Sequence, residues 1–426
     1  MLHFLRVLMR NFAAVKKNKK SAAVGFIFIT LLIDITGWGI VIPVVPKLIQ
    51  ELIHNADLSV ASQYGGWLSF VYAFMQFLFA PVLGNLSDKY GRRPVILFAL
   101  LGFALNFFIQ AWAPTIFWLF VGRIFSGITG ASITTASAYI ADISDDTNRS
   151  KNFGMIGAAF GLGFILGPVL GGLLGQYGAR VPFIAAGILC LLNFLYGIFV
   201  LPESLEVKNR REFNWKRANP VGSLLNIRRY PKIMYLMVAW FLVYIAAHAV
   251  QTNWSFFTMY RFGWEEKMVG ISLGVMGAIT AVVQGFLIRK VHPRFGVERS
   301  ILYGIVFYCI GMILFAFANQ PWMMFAILLI YCLGGIAGPA LQSVISSKVR
   351  PDEQGDIQGA LTSVVSITSI IGPPLMTNVF YYFTHDSAPF IFPGAPFFLG
   401  FLLMAASAYF VYVVFHRNKN KTVKNV

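Results

Sequence analysis

Two ionisable residues stand in the middle of long apolar runs and are the first candidates for chemistry. Asp34 lies within TLLIDITGWGIVIPVV and Arg123 within LFVGRIFSGITG. If the first run is a helix crossing a bilayer, Asp34 sits about 12 residues along it, roughly 18 Å deep. A charged side chain at that depth costs on the order of 2.5–3.5 kcal/mol on insertion scales. Such a residue normally faces a cavity or a partner. A carboxylate there can take up and release a proton; the plainer alternative is a structural group hydrogen-bonded to a neighbouring helix. Arg123 lies about 8 residues into its own run, roughly 12 Å from the opposite surface. In a hydrocarbon core of roughly 30 Å the two residues therefore share one depth. This permits an ion pair made in one state and broken in another, with Asp34 carrying the proton and Arg123 as its partner. The alternative for Arg123 is to bind backbone carbonyls beside Gly127 and Gly130.

Uncharged polar side chains at helical spacing come next. Tyr244, His248 and Gln251 follow i, i+4, i+7 and share one helix face. Tyr72 and Gln76, Ser132 and Thr135, Gln284 and Gln342 are further polar residues inside apolar runs, and Trp38 and Trp240 offer stacking surfaces. A lone buried histidine is commonly a satisfied structural residue, and Trp and Tyr also collect at membrane interfaces. With 16% aromatic residues and few buried charges, a cavity of such residues suits a bulky amphipathic or aromatic compound held mainly by apolar contact. There is no clustered nucleophile, no metal-ligand spacing among the six histidines and no GxxxxGK[ST] loop. The chain is expected to be no enzyme, to hold no metal or cofactor, and to draw energy from a proton gradient rather than ATP.

These residues must be positioned by elements that lipid accepts. Of 426 residues, 57% are hydrophobic and only 12% charged, about half the charge an ordinary soluble domain carries. Runs long enough to cross a bilayer as helices fall near 22–46, 62–83, 94–112, 115–140, 152–174, 181–201, 234–258, 267–288, 300–318, 322–346, 357–382 and 394–415. They lack the period-two alternation of barrel strands. The expectation is an all-α integral membrane protein with twelve transmembrane helices. The net charge of +17 divides unevenly: with a cytoplasmic N-terminus, 29 Lys and Arg fall on the inner side and 4 (Lys47, Arg180, Arg261 and Lys267) on the outer. That bias places both termini in the cytoplasm and sets the basic loops against anionic lipid headgroups, not nucleic acid. Cys190, Cys309 and Cys332 all lie in spans as small apolar residues. The first apolar run continues to Pro46, too long for a cleaved signal sequence, and residues 2–12 have the pattern of a short interfacial helix.

The one long hydrophilic interruption, 205–232, is basic, contains Pro220 and has six spans on either side. The expected organisation is an N-terminal segment (1–21), a six-helix bundle (22–204), a cytoplasmic linker (205–232), a second six-helix bundle (233–415) and a basic tail (416–426). Two bundles of this kind rock about a site at the membrane midplane. An internal echo supports a duplication. Tyr90-Gly91 after span 2 and Phe295-Gly296 after span 8 both precede Arg and a new apolar run, and Gly-Pro pairs recur at Gly167-Pro168 and Gly372-Pro373.

The segment GNLSDKYGRRP (84–94) resembles the signature loop between spans 2 and 3 of the major facilitator superfamily. LFVGRIFSGITG (119–130) resembles that family's span-4 motif with an intramembrane Arg, and GFILGPVLGG (163–172) its span-5 antiporter motif. LLIDITGWGIVIPVVPKLIQELI, YAFMQFLFAPVLG and FGWEEKMVGISLG extend the likeness, over nearly the whole chain, to the tetracycline/proton antiporters. The resemblance implies the superfamily fold, alternating access, a monomer, and a cavity lined by spans 1, 4, 7 and 10. It implies a cytoplasmic gate of Asp88, Arg92, Arg93 and Asp142. Gly157, Gly161, Gly163, Gly167, Gly171 and Gly172 give span 5 small residues at four-residue spacing, a close-packing pattern that Pro168 is expected to kink, and the resemblance adds only a role in the direction of transport. Glu203, after span 6, reads as a boundary residue.

One departure bears on substrate. Where tetracycline exporters are expected to carry an acid in span 3, a His in span 8 and an acid in span 9, this chain has Asn106, Thr280 and Tyr308. That implies a substrate other than tetracycline and proton coupling through other residues. The leading expectation is proton-coupled efflux of a small organic compound across the cytoplasmic membrane. The alternatives are uptake of a nutrient, peptide or siderophore-like molecule on the same fold, and a transport-dead sensor.

Overall fold

A computed structural model describes residues 24–130, 132–145, 147–215, 233–350 and 353–424. The interfacial helix expected over 2–12 and most of the linker, 216–232, lie outside the described residues. Among the described residues twelve helices are long and apolar enough to cross a membrane. Spans 1 to 6 are Val24–Val41, Leu58–Tyr90, Arg92–Ala111, Ile116–Ile143, Lys151–Gly175 and Val181–Val200. Spans 7 to 12 are Met234–Phe262, Glu266–Phe295, Val297–Ala316, Pro321–Ser347, Gln354–Tyr382 and Ala395–His416.

Each expected span overlaps one of these helices. Spans 2 and 8 overrun the expectation most, because their last turns carry Asp88 and Lys89, and Arg289, Lys290 and Arg294. Hydropathy stops at such residues while the helix continues beyond the hydrocarbon; the 33 residues of span 2 reach about 50 Å. Span 1 ends sooner than expected, at Val41. Pro43 disfavours helix in the residue before it, so the chain turns through Ile42–Val44 and restarts as Val45–Ile53 with Pro46 in its first turn.

The two halves share local geometry. Gly91 (φ 107°, ψ 161°) and Gly296 (φ 78°, ψ 158°) adopt the same left-handed-side conformation between spans 2 and 3 and between spans 8 and 9. Glycine alone takes it without strain. Span 4 breaks after Thr129 at Gly130, and span 10 breaks after Leu333 into a short 3-10 turn, Gly334–Ile336. Interruptions at matching places in two repeats mark the midplane of such folds.

Across the halves, span 5 packs on span 8 and span 2 on span 11. Both pairs touch tightly at the end away from the 2–3 loop, here the far end. A methyl on Gly172 would stand 3.0 Å from the Gly270 Cα, and one on Gly66 3.1 Å from the Thr377 Cβ. Toward the loop end the contact is lost: a methyl on Gly84, Gly157, Gly161, Gly285, Gly355 or Gly359 would meet nothing within 4 Å. The helices splay apart.

Within the first half, span 5 also lies against span 1. A methyl on Gly163 would meet the Ile35 Cβ at 2.8 Å, one on Gly167 the Thr36 carbonyl at 2.7 Å, and Gly171 abuts the Ile40 carbonyl. Gly39 closes the contact from span 1, against the Pro168 ring. Gly157 and Gly161, expected to belong to the same packed face, lie outside it, in the splayed region.

This predicts a sharp contrast. Gly167→Leu should destabilise the purified protein by about 1–3 kcal/mol through overpacking, seen as a lower melting temperature in detergent. Gly161→Leu should change stability by less than about 0.5 kcal/mol.

Candidate functional site

A cavity of about 250 Å³ lies between the halves at mid-membrane. The first half contributes Trp38 from span 1, Ser69, Tyr72 and Gln76 from span 2, and Arg123 from span 4. The second contributes His248, Gln251, Thr252 and Ser255 from span 7, with Ser369 and Pro373 from span 11. Arg123 is the one permanently charged side chain in this lining, and its Nε has no hydrogen-bond partner among the described residues. The broken span 4 is tied to span 2 beside it. Gln76 Nε2 donates to the Gly130 carbonyl at 2.9 Å and to Tyr72 Oη at 3.1 Å.

Asp34 lies one helical turn before Trp38, half-buried, and is not part of the cavity wall. Tyr72 is the shared neighbour, since its phenol is within electrostatic reach of both Arg123 and Asp34. Asp34 also acts on Cys190 of span 6. The carboxylate thus stands within the first bundle, one turn along span 1 from Trp38, and Tyr72 is the cavity residue near both it and Arg123.

Of the polar residues singled out from sequence, Trp38, Tyr72, Gln76, His248 and Gln251 line the cavity. Trp240, Tyr244, Gln284 and Gln342 stand outside it. Trp240 is buried and packs at a tilt against Tyr244, with ring centroids 4.6 Å apart. Gln342 donates to Gln358 at 2.9 Å, joining spans 10 and 11. Gln284 sits in a π turn, Val283–Leu287, that faces the 3-10 break of span 10. Ser69, Thr252, Ser255 and Ser369 were not anticipated. Ser69 is Tyr72 minus three, and Thr252 and Ser255 are His248 plus four and plus seven, so extending those helix faces would have found three of them. The Ser132 side chain lies outside the described residues; Thr135 is buried and does not reach the cavity.

The residues at the tetracycline-type positions are also absent from the lining. Asn106 Oδ1 accepts from Gln110 at 2.7 Å, Thr280 donates to Cys332 Sγ at 3.6 Å, and Tyr308 packs on Tyr331 with centroids 4.9 Å apart. Each is engaged within its own bundle.

A second polar cluster organises the loop end of the first half. Arg92 pairs with Asp88 at 2.6 Å and Asp142 at 3.2 Å, and donates to Ser87 Oγ at 2.6 Å. Arg93 reaches the Ile198 carbonyl of span 6 at 2.6 Å. Glu203, read from sequence as a boundary residue, is a principal acceptor here. Its carboxylate takes the backbone N–H groups of Arg92 (2.8 Å), Arg93 (3.2 Å), Ser204 (3.0 Å) and Leu205 (3.1 Å). It therefore places negative charge on the unsatisfied N-terminus of span 3. The start of the linker is strapped over the same loop: Arg211 N–H donates to the Asp88 carbonyl at 3.1 Å, and Asn85 and Asn214 exchange two hydrogen bonds at 2.8 and 3.3 Å. These bonds all stay within the first half and the linker.

The fold and both sites lead to a family, and comparison with known proteins agrees. The chain matches the Major Facilitator Superfamily model over residues 27–373 and again over 293–424, and it belongs to that superfamily of membrane transporters. It is 41% identical over 362 residues to the class C tetracycline resistance protein of Escherichia coli, covering 85% of this chain and 90% of that one. The class H protein of Pasteurella multocida is 35% identical, covering 84% and 88%. Among solved structures, the human organic anion transporter MFSD10 (TETRAN) superposes with a TM-score of 0.69 at 23% identity, covering 92% and 99%. A bacterial homologue of the lysosomal transporter Spinster, inward-facing and occupied, gives 0.72 at 16% identity, covering 92% and 96%. These two likenesses concern the fold. The chain is a multi-pass inner-membrane transporter and not an enzyme.

The loop cluster yields its own prediction. Glu203→Ala strips an acceptor from two helix-start N–H groups and should cost about 1–2 kcal/mol. Tryptic cleavage after Lys89 and Arg92 should speed up in the variant, while a control in the exposed linker, Trp215→Ala, leaves it unchanged.

Proposed function

We propose that this transporter exports a bulky amphipathic or aromatic compound in exchange for protons, by alternating access, with no other cofactor. The observation that carries the proposal is the mid-membrane cavity built by both halves, tight at the far end, with Arg123 on its wall and Asp34 one helical turn along span 1 from the wall residue Trp38. Its small volume, Trp38, and the hydrogen-bonding face of span 7 suit a compound held by apolar contact and oriented by a few polar groups.

The basic loops place the 2–3 loop and both termini in the cytoplasm. The tight far end is then periplasmic, the splayed end cytoplasmic, and the molecule faces inward, ready to load from the cell. Asp34 takes a proton in the outward-facing state and loses it in the inward-facing one. Tyr72 senses that change because it lies within reach of Asp34, and it passes the change to Arg123 at the cavity. The network of Asp88, Arg92, Arg93 and Asp142, steadied by Glu203, forms the cytoplasmic gate when the halves rock the other way. The tetracycline resistance relatives support the direction of export. Asn106, Thr280 and Tyr308, engaged away from the cavity, support a substrate other than tetracycline.

The test uses inside-out vesicles energised by respiration, with a pH-sensitive dye and a panel of aromatic amphiphiles. An exported compound should cause proton release in wild-type vesicles, and Asp34→Asn should reduce that release at least tenfold while binding to the cavity persists. Proton release undiminished in Asp34→Asn would remove Asp34 from the coupling. Accumulation of the same compounds by intact cells, without proton release in vesicles, would reverse the direction.

A further inference from the structure

Among the described residues, the bonds joining the two halves lie at the far end. Ser255 Oγ donates to the Ile42 carbonyl at 3.3 Å, and Gln63 Nε2 to Asn378 Oδ1 at 2.9 Å. The third tie is ionic: Lys47 Nζ stands 3.0 Å from Glu266 Oε1. Lys47 belongs to the short helix Val45–Ile53 after span 1, and Glu266 to the first turn of span 8. The two ends of the bond are thus carried by different halves. Neither residue lines the cavity or belongs to the loop cluster.

The partners differ in burial, and that difference gives the pair its meaning. The Lys47 side chain is 51% exposed, whereas that of Glu266 is 8% exposed. Glu266 is covered because its backbone and Cβ lie against Gly172 and Gly175 of span 5, the close approach that shuts the far end. A methyl on Gly175 would stand 3.1 Å from the Glu266 Cβ. Shutting the far end therefore takes a carboxylate out of water. A charge buried without a partner is strongly unfavourable, and Lys47 is the cation in place to neutralise it. The first turn of span 8 adds a weaker favourable field. When the halves part at this end, the glycine contact opens, and both charges return to water.

We propose that Lys47 and Glu266 form a charge-neutralising latch that sets how readily the far end closes, and that must break in every transport cycle. It is a second functional locus, separate from the cavity: Glu266 is the group that closure buries, and Lys47 is what makes its burial tolerable. This inference goes beyond the export reading and needs no substrate to be tested.

The latch predicts a characteristic asymmetry between its two partners. Lys47→Gln leaves the Glu266 carboxylate to be buried alone, so the open far end should gain roughly tenfold in population relative to the closed one. Glu266→Gln removes the charge that needed neutralising and should have a smaller effect. In the double variant Lys47→Gln/Glu266→Gln no buried charge remains, so the population should return most of the way to wild type. Independent sites would instead add.

The measurement is pulsed electron–electron resonance in nanodiscs, with the three native cysteines replaced by alanine. Spin labels go at Glu51 and Asp386, exposed at the far ends of the two halves. Lys47→Gln alters a half-exposed side chain at a helix start and touches no core contact, so it also serves alone if the double variant expresses poorly. A distance distribution in Lys47→Gln that matches wild type would overturn the latch, as would additive shifts in the double variant. Either result would leave the export reading standing, because it is read from proton release and not from this distance.

Discussion

Helices in a bilayer gain little by hiding apolar side chains from one another, because the lipid around them is just as apolar. What holds them is close approach, and only residues without bulk allow it. Span 5 depends on this twice. Its row Gly163, Gly167 and Gly171 seats span 1 within the first half, while Gly172 and Gly175 receive the start of span 8 from the second. One helix therefore fixes Asp34 and Trp38 within its own bundle and also forms the surface on which the other bundle closes. Pro168 sits between these rows, with its ring against Gly39 of span 1 and its carbonyl against Gly270 of span 8.

The same fold uses one backbone device for two ends. Gly91 and Gly296 share a conformation, but their surroundings differ. Gly91 is packed against Glu203 and Arg210, whereas Gly296 meets nothing within 4 Å. The duplicated turn has become a rigid, acid-capped junction in the first half and stays open in the second. The charged groups of the membrane core follow that division. Asp34 and Arg123 both belong to the first bundle, while the cavity face of span 7 offers a histidine, an amide and hydroxyls. The second bundle thus meets the cavity with no permanently charged side chain.

The twelve helices were legible because lipid imposes a length and a composition on every spanning segment, and both are written locally in the chain. The same holds for the 2–3 loop, whose glycine and charges are contiguous, and for the packed face of span 5. The cavity was legible in part. Tyr72, Gln76, His248 and Gln251 sit on helix faces that a 3.6-residue period identifies, but the same period also marks Tyr244, whose ring packs at a tilt against Trp240 inside the second bundle. Periodicity says which residues share a face and is silent on what that face meets. Glu203 reads from sequence as a boundary residue because the partners that matter, the backbone N–H groups of Arg92 and Arg93, lie more than a hundred residues away, and backbone donors leave no signature in sequence.

By itself, then, the sequence determined what depends on each segment's own solvent: the number of spans, the basic asymmetry of the loops, the depth of Asp34 and Arg123, and the superfamily motifs. The tertiary structure decided what depends on distance between segments. It left Asp34 off the cavity wall and put Arg123 on it, with Tyr72 near both. It closed the far end and splayed the other, so that Gly172 packs and Gly157 does not, although both are glycines of one helix. It brought Lys47 to Glu266, two residues that look like ordinary ends of helices. The physical reason is that the cost of burying a charge, or the value of a missing side chain, is set by the neighbour across the gap, and in a two-bundle transporter that neighbour belongs to a different half of the chain.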